Sequence, residues 1–121
     1  MNLSQDFLIN PEKNFTVHKK DTNNSKALLS NVLYNEMEQF VATIITNHKD
    51  LVYPTPQLFK LQILKNAYLN DKLILKAQIK KLEALELHLS VLVKQKNKTK
   101  NNIICKAIFK FQLKEEISIA S

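Results

Sequence analysis

Glu36 is the carboxylate whose sequence position most strongly suggests acid–base chemistry. It lies in a helical pattern whose apolar residues, at about 100° per residue, form one stripe: Leu29, Leu33, Met37, Phe40 and Ile44. Glu36 projects between Val32 and Phe40, inside an apolar arc that covers more than half of the helix. A carboxylate in an apolar environment has a raised pKa, which is a common state for a general acid or base. The sequence leaves open that Glu36 lies at the margin of this arc and reaches solvent, or that it pairs with a lysine or a backbone group.

The other residues capable of chemistry are few. Glu38 lies at the edge of the same arc, so the sequence does not decide which of the two glutamates faces a site. No two of the three histidines have the spacing of metal ligands, so we expect no metal site. His88 occupies an outward strand position and is expected to be exposed. Cys105, the single cysteine, lies on an alternating strand face and is expected to be a small buried hydrophobic residue.

One long helix and a series of strands would position these residues. The helical pattern runs from about Ser25 to Asn47, with Asn24-Ser25 as the N-cap. A turn is predicted at Pro11–Asn14 and a short strand at Phe15–His18. Apolar and polar residues then alternate with period two over four predicted strands, at about 57–66, 70–82, 84–94 and 102–114. The pattern indicates one α+β domain over residues 1–121, in which the sheet wraps the helix.

The lysine-rich composition restricts the possible partners. The net charge is +7, and the 18 basic residues include no arginine for bidentate contacts with phosphates or bases. The lysines are spread over outward strand positions and do not form a stripe with interleaved aromatic residues, so we expect no nucleic-acid partner. The chain has no glycine, which excludes glycine-rich phosphate loops.

The sequence also bears on the expected compartment. No window of 18 apolar residues is present, so no membrane span is expected. Residues 1–12 do not have the pattern of a secretory signal. A single cysteine cannot form an internal disulfide, which fits a reducing environment. We therefore expect a cytoplasmic protein.

The helix and the strands that follow it resemble the hotdog-fold superfamily of acyl-thioester enzymes. The resemblance is best over Ile63–Ala77, where Tyr68-Leu69-Asn70-Asp71-Lys72-Leu73 is similar to the family's aromatic-x-x-glycine-aspartate-x-leucine turn, with Asn70 in place of the glycine. Leu85–Val93 and Ile104–Phe111 are similar to the last two strands. The resemblance implies a hotdog fold, with one long central helix wrapped by a curved antiparallel sheet of about five strands. It also implies a homo-oligomer, either a dimer or a dimer of dimers.

The resemblance further implies a site. Val17–Asn31 lies where 4-hydroxybenzoyl-CoA-type thioesterases have an aspartate-rich loop, and Asn23 occupies the slot of the catalytic aspartate. Ser30–Glu36 is similar to the proline-glycine-valine-leucine-x-x-glutamate segment of hydroxyacyl-thioester dehydratases, and Glu36 falls on its acid. We therefore expect Glu36 to activate water as a base or to attack the thioester carbonyl itself, and Asn31 or Asn23 to orient the water or the thioester. Backbone N–H groups near residues 24–27 would polarise the thioester oxygen.

The implied activity is hydrolysis of an acyl-CoA or acyl-carrier-protein thioester, with no cofactor, in lipid metabolism. Two alternatives stay open within the same fold. One is a hydroxyacyl-thioester dehydratase-like protein, although the partner histidine of that group has no match here. The other is a non-catalytic subunit that binds an acyl thioester. The acyl length, and the choice between CoA and carrier protein, are not determined by the sequence.

Overall fold

The computed structural model describes residues 11–115. Strand β1 spans Glu12–Thr16 and is followed by a short 3-10 turn, Lys19–Asp21. The single α-helix of this region, α1, spans Ser30–Thr46. Four further strands complete the described chain: β2 (Gln57–Ile63), β3 (Lys72–Glu83), β4 (Glu86–Gln95) and β5 (Ile103–Gln112). No helix within residues 11–115 is long and apolar enough to cross a bilayer.

The five strands form one antiparallel sheet in the order β1-β3-β4-β5-β2. The hairpin partners β3–β4 and β4–β5 lie at the centre, and β1 and β2 lie at the two edges. The pairing register shifts within the β3–β4, β4–β5 and β2–β5 pairs, as at β-bulges, which bend and twist strands. The predicted fold class, one helix against a five-stranded antiparallel sheet, is confirmed, and the predicted limits of β2 to β5 are correct to within three residues.

The N-terminal strand differs from its prediction. Pro11–Asn14 was expected to be a turn, but Glu12–Thr16 pairs with β3, with Lys13 opposite Leu75 and Phe15 opposite Leu73. The prediction failed because Glu, Lys and Asn are weak strand formers, and only the neighbouring strand stabilises them in this conformation.

The helix begins five residues later than predicted. Its N-cap is Leu29, and the expected cap at Asn24-Ser25 is wrong. The Asn23 side chain instead closes a tight loop, because its Oδ1 accepts the N–H groups of Ser25 and Ala27 at 2.8 and 3.1 Å. The Leu29 N–H then donates to the Asp21 carbonyl, 2.9 Å away. Asparagine is favourable both at a helix N-cap and in a turn. Here Asn23 forms a turn, because tertiary contacts hold the loop in that conformation.

The core lies between α1 and the inner face of the sheet. The largest fully buried side chains include Phe109, Phe111, Met37 and Ile45. Cys105 is fully buried within this core, where its Sγ lies 3.9 Å from the Met37 Sδ. Burial raises the pKa of the thiol to about 11. The prediction that Cys105 is a buried hydrophobic residue is confirmed.

The turns manage without glycine. Between residues 11 and 115, four residues have left-handed backbone angles: Lys26 (φ 64°), Asn70 (φ 73°), Ala84 (φ 50°) and Asn101 (φ 51°). Asparagine tolerates this region, but lysine and alanine adopt it at a cost, because the Cβ approaches the backbone carbonyl. In the 68–71 turn, Asn70 therefore adopts a positive φ, for which glycine is the usual residue, at little cost in free energy. The Asp71 carboxylate accepts the Tyr68 N–H at 2.8 Å across the same turn.

Ala84→Gly is expected to stabilise the protein by about 1 kcal/mol, because glycine adopts positive φ without the Cβ clash. Ala84 is the first of two turn residues between the paired ends Glu83 and Glu86, where a two-residue hairpin favours glycine. Urea unfolding monitored by circular dichroism would measure the change. The matched control is Ala42→Gly inside α1, which should destabilise by a similar amount. A loss of stability in Ala84→Gly would contradict the argument.

Candidate active site

Glu36 lies on the side of α1 that faces β1. The Glu36 Oε2 is buried and lies 2.9 Å from the Lys13 Nζ, so the two side chains form an ion pair. The geometry of this contact is not that of a hydrogen bond. The Glu36 side chain is 21% exposed and that of Lys13 is 39% exposed. The pair is therefore screened on one side by the protein and open to water on the other. The sequence left open whether Glu36 is enclosed in the apolar arc or lies at its margin. In the structure it lies at the margin and pairs with a lysine.

An apolar cleft of about 440 Å³ runs along the same side of α1, between the helix and β1. Its lining includes Lys13, Phe40, Thr43 and Ile44. Phe40, Thr43 and Ile44 follow Glu36 by four, seven and eight residues, so they continue the helix face on which Glu36 lies. Lys13 both lines the cleft and pairs with Glu36. A carboxylate, an ammonium group and an apolar cleft are thus combined on one face.

Glu38 lies on the opposite side of the helix, about 200° away from Glu36. A hydrogen bond to the Glu38 carboxylate raises the pKa of the Tyr34 phenol, and partial burial and the charge of Glu38 add to the effect. The Tyr34 ring lies 6.1 Å from that of Phe109, which is on β5. The two glutamates therefore face opposite halves of the sheet, and Glu38 has a tyrosine rather than a lysine as its partner.

The three predicted site residues are not brought together on one face. Asn31 is exposed in the first turn of α1, about 140° around the helix from Glu36. Asn23 lies in the loop before the helix, where its Oδ1 is occupied by two backbone N–H groups. Catalytic roles for these three residues stay predictions, and among them Glu36 has the most enclosed setting.

The expected oxyanion donors near residues 24–27 are already used. The N–H groups of Ser25 and Ala27 donate to Asn23 Oδ1, and that of Lys26 donates to the Asn23 carbonyl. Since the helix begins at Ser30, its first-turn N–H groups are those of Ser30, Asn31 and Val32. No side chain hydrogen-bonds to them within the described part of the chain, so the helix start offers donors further along than predicted.

None of the three histidines lines the cleft. His88 was expected to be exposed, but it is only 7% exposed, although it lies on the outer face of the sheet. The Phe59 ring covers it at 5.6 Å and the Glu86 carboxylate lies 2.9 Å from its Nε2. The hydrogen bond with His88 lowers the pKa of Glu86, and the charge of Lys110 adds to this. The described residues contain no group of three potential metal ligands.

Lys13 is the site residue that the sequence did not reveal. It lies in a segment that was expected to be a turn, so no strand placed it beside the helix. The available signal was the strand predicted from Phe15: if that strand is extended toward Glu12, Lys13 falls on the same face as Phe15.

Comparisons with known proteins identify the fold. Neither the protein-family models nor the curated proteins that were searched match this sequence. Among solved structures, the chain is similar to an acyl-CoA hydrolase from Staphylococcus aureus, with 16% identity and a TM-score of 0.71. That similarity covers 86% of this chain and 65% of the hydrolase, so the chain spans less than two thirds of its length. The chain has a hotdog fold.

Two other similar structures of this fold match more of their own length. A hypothetical thioesterase from Streptococcus pneumoniae, solved with coenzyme A, is 16% identical with a TM-score of 0.68, over 88% of this chain and 80% of that one. A 1,4-dihydroxy-2-naphthoyl-CoA thioesterase from Synechocystis is 9% identical with a TM-score of 0.66, over 92% and 90%. At these identities the hotdog fold is shared, and the reaction must be argued from the site.

Proposed function

We propose that this hotdog chain is a thioesterase-like protein that hydrolyses an acyl-CoA or acyl-carrier-protein thioester. The observation that carries the proposal is the Lys13–Glu36 pair, in which Lys13 also lines an apolar cleft along the central helix. The similar structures named as acyl-CoA hydrolase and thioesterases support it. We place the reaction in the cytoplasm and in lipid metabolism.

In the proposed reaction, Glu36 is the general base. Its carboxylate takes a proton from a water molecule, whose oxygen attacks the thioester carbonyl. The tetrahedral intermediate collapses with cleavage of the carbon–sulfur bond. The thiolate leaves and receives the proton, and the acyl group departs as a carboxylic acid. Lys13, whose Nζ lies 2.9 Å from the Glu36 Oε2, would hold the carboxylate in place beside the substrate.

The acyl chain would lie in the cleft along α1. Phe40 and Ile44 supply apolar contacts, and the cleft volume of about 440 Å³ is within the ordinary range for small-molecule sites. The rim residues Lys13 and Thr43 remain open to solvent, where the polar end of the thioester would emerge. The N–H groups of Ser30–Val32 are proposed to polarise the thioester oxygen from the helix start, in place of the donors first expected near residues 24–27, so that Asn31 would take part through its backbone.

We also propose that the working unit is a homodimer formed through β2. This edge strand exposes large apolar side chains, with Phe59 at 52%, Leu61 at 42% and Ile63 at 46%. Leu61 and Ile63 are opposite Ala107 and Cys105, which are buried, so both lie on the inner face beyond the reach of α1. An edge strand with free backbone groups and an apolar inner face is suited to pairing with a second copy.

The dehydratase alternative is less well supported. That reaction would need a second acid–base group beside Glu36, and no histidine of residues 11–115 lines the cleft. His48 lies beyond the far end of α1, and His88 is on the outer face of the sheet. A non-catalytic acyl-thioester-binding protein is a second candidate, since the apolar cleft alone would serve it.

Thr43→Trp tests the proposal by filling the cleft. We expect hydrolysis of acyl-CoA substrates to fall at least tenfold, because the indole would occupy the space of the acyl chain. The released CoA thiol can be followed with a thiol reagent, since Cys105 is buried with a raised pKa. The matched control is Thr46→Trp, which is exposed on the same helix and makes the same kind of bond to the helix backbone, but does not line the cleft.

Two results would count against the proposal. Equal activity in Thr43→Trp and Thr46→Trp would show that the cleft does not hold the substrate. Absence of thioester cleavage by the wild-type protein over a panel of acyl-CoAs, with retained binding of a non-hydrolysable acyl-CoA thioether, would favour the non-catalytic candidate.

A further inference from the structure

The outer face of the sheet carries a groove of about 570 Å³ that the proposed reaction does not use. The sheet separates this groove from α1, so a ligand there would not touch Glu36. Its residues come from neighbouring strands in two cross-strand rows. One row runs Lys60–Ile108–Ser90–Gln78 and the other Gln62–Lys106–Leu92. Adjacent strands are about 4.8 Å apart, so the two rows form a contiguous surface.

The groove combines an apolar floor with unpaired cations. Leu92 and Ile108 are partly buried in its floor, and Lys60, Lys80 and Lys106 are exposed around it. Two other lysines of the outer face form ion pairs, Lys76 with Glu12 at 3.5 Å and Lys81 with Glu83 at 2.7 Å. Within residues 11–115, no carboxylate lines the groove or forms an ion pair with Lys60, Lys80 or Lys106.

We propose that this outer-face groove binds a phosphate-bearing organic anion of about nucleotide size. Three ammonium groups supply the positive charge that phosphates need, and lysine binds phosphate as a point charge. The Ser90 hydroxyl and the amides of Gln62 and Gln78 offer hydrogen bonds, while Leu92 and Ile108 give a base or another flat group an apolar surface. The volume lies within the range of small-molecule sites.

A second copy of the chain is a poorer occupant of the same face. A two-fold contact would place the groove lysines of one copy against those of the other, and like charges in contact oppose association. The phosphate-bearing ligand has two possible sources, the nucleotide head of coenzyme A or a free nucleotide, and both share the same chemistry.

The test is binding of adenosine 3′,5′-bisphosphate, coenzyme A and ATP, measured by isothermal titration calorimetry at low and moderate salt. In the variant Lys80→Glu/Lys106→Glu we expect affinity to fall at least tenfold, since two attractive contacts become repulsive. The matched control is Lys98→Glu/Lys100→Glu, which changes two exposed lysines of the β4–β5 loop and gives the same net charge. This control should bind as the wild type does. Thermal unfolding of each variant checks that it is folded.

Each possible outcome of this binding experiment has a different consequence for the proposal. Binding that is weakened by Lys80→Glu/Lys106→Glu and not by the control supports the groove as a binding site. If coenzyme A then binds more tightly than ATP, the ligand is the nucleotide head of coenzyme A, and if ATP binds more tightly, the ligand is a free nucleotide. Equal weakening in both double variants would overturn the proposal, because net charge alone would then explain binding. No measurable binding, or a preference for a single-stranded oligonucleotide with steep salt dependence, would also overturn it. None of these readings depends on thioester hydrolysis.

Discussion

Glu36→Gln is expected to lower kcat/KM for acyl-CoA hydrolysis about 1,000-fold while leaving the protein folded. The amide keeps the size of the side chain but cannot take a proton from water, and a general base contributes roughly 100- to 10,000-fold to such reactions. Lys13 would lose its partner at 2.9 Å, but its side chain is 39% exposed and is solvated by water. The loss should therefore appear in kcat, with a small change in KM.

Glu38→Gln is the matched control for this experiment, because it makes the same chemical change two residues away on the opposite side of α1. It should retain hydrolysis within a few-fold. If Glu38→Gln is the inactive variant and Glu36→Gln is active, the base lies on the β5 side of the helix, with Tyr34 as its partner. If both variants retain full activity, neither helix carboxylate is the base, and the proposed mechanism is wrong.

Leu61→Lys is expected to convert the proposed homodimer into monomers. Leu61 is 42% exposed on the inner face of β2, and a dimer through this edge would bury it. An unpaired ammonium group in such an interface costs several kcal/mol, which is enough to change the dissociation constant by orders of magnitude. Size-exclusion chromatography with light scattering would measure the mass directly.

The matched control for Leu61→Lys is Leu85→Lys. Leu85 is 54% exposed in the β3–β4 turn, so the substitution adds the same charge to a similar exposed leucine away from β2. It should leave the mass unchanged. A wild-type protein that is already monomeric at high concentration, or a Leu61→Lys variant that stays dimeric, would show that β2 is not the interface.

The strands could be predicted from the sequence because their signal is local and strong. Each of β3, β4 and β5 alternates apolar and polar residues over ten residues or more, and each has one buried face. Only the end of β1 could be predicted, within the expected strand at Phe15–His18, because Glu12, Lys13 and Asn14 have little strand preference and depend on pairing with Ile74–Lys76. Lys13 was missed for the same reason, and with it the partner of Glu36.

The helix start and the state of His88 were missed for a different physical reason. Both depend on contacts between residues far apart in the sequence. The loop before α1 is held by hydrogen bonds to the 67–69 segment, with the Leu28 N–H donating to the Ala67 carbonyl and the Leu69 N–H to the Lys26 carbonyl. His88 is buried by Phe59 from another strand. Periodicity reports which face of an element is apolar, but it does not report what covers the other face.

The unequal lengths of β1 and β3 have a consequence for aggregation. β1 pairs only with Lys72–Lys76, so within the described residues the second half of β3, through Glu83, has no neighbour on that side. Such an open edge can recruit another strand, but this one carries Lys80, Lys81 and Glu83, charges that discourage edge-to-edge pairing. The edge strand β2 carries one charged residue, Lys60, beside the exposed apolar side chains of Phe59, Leu61 and Ile63. The charged open edge of β3 therefore disfavours pairing with another copy, whereas the more apolar edge β2 favours it. A sheet formed between copies would then contain two copies and would not extend further.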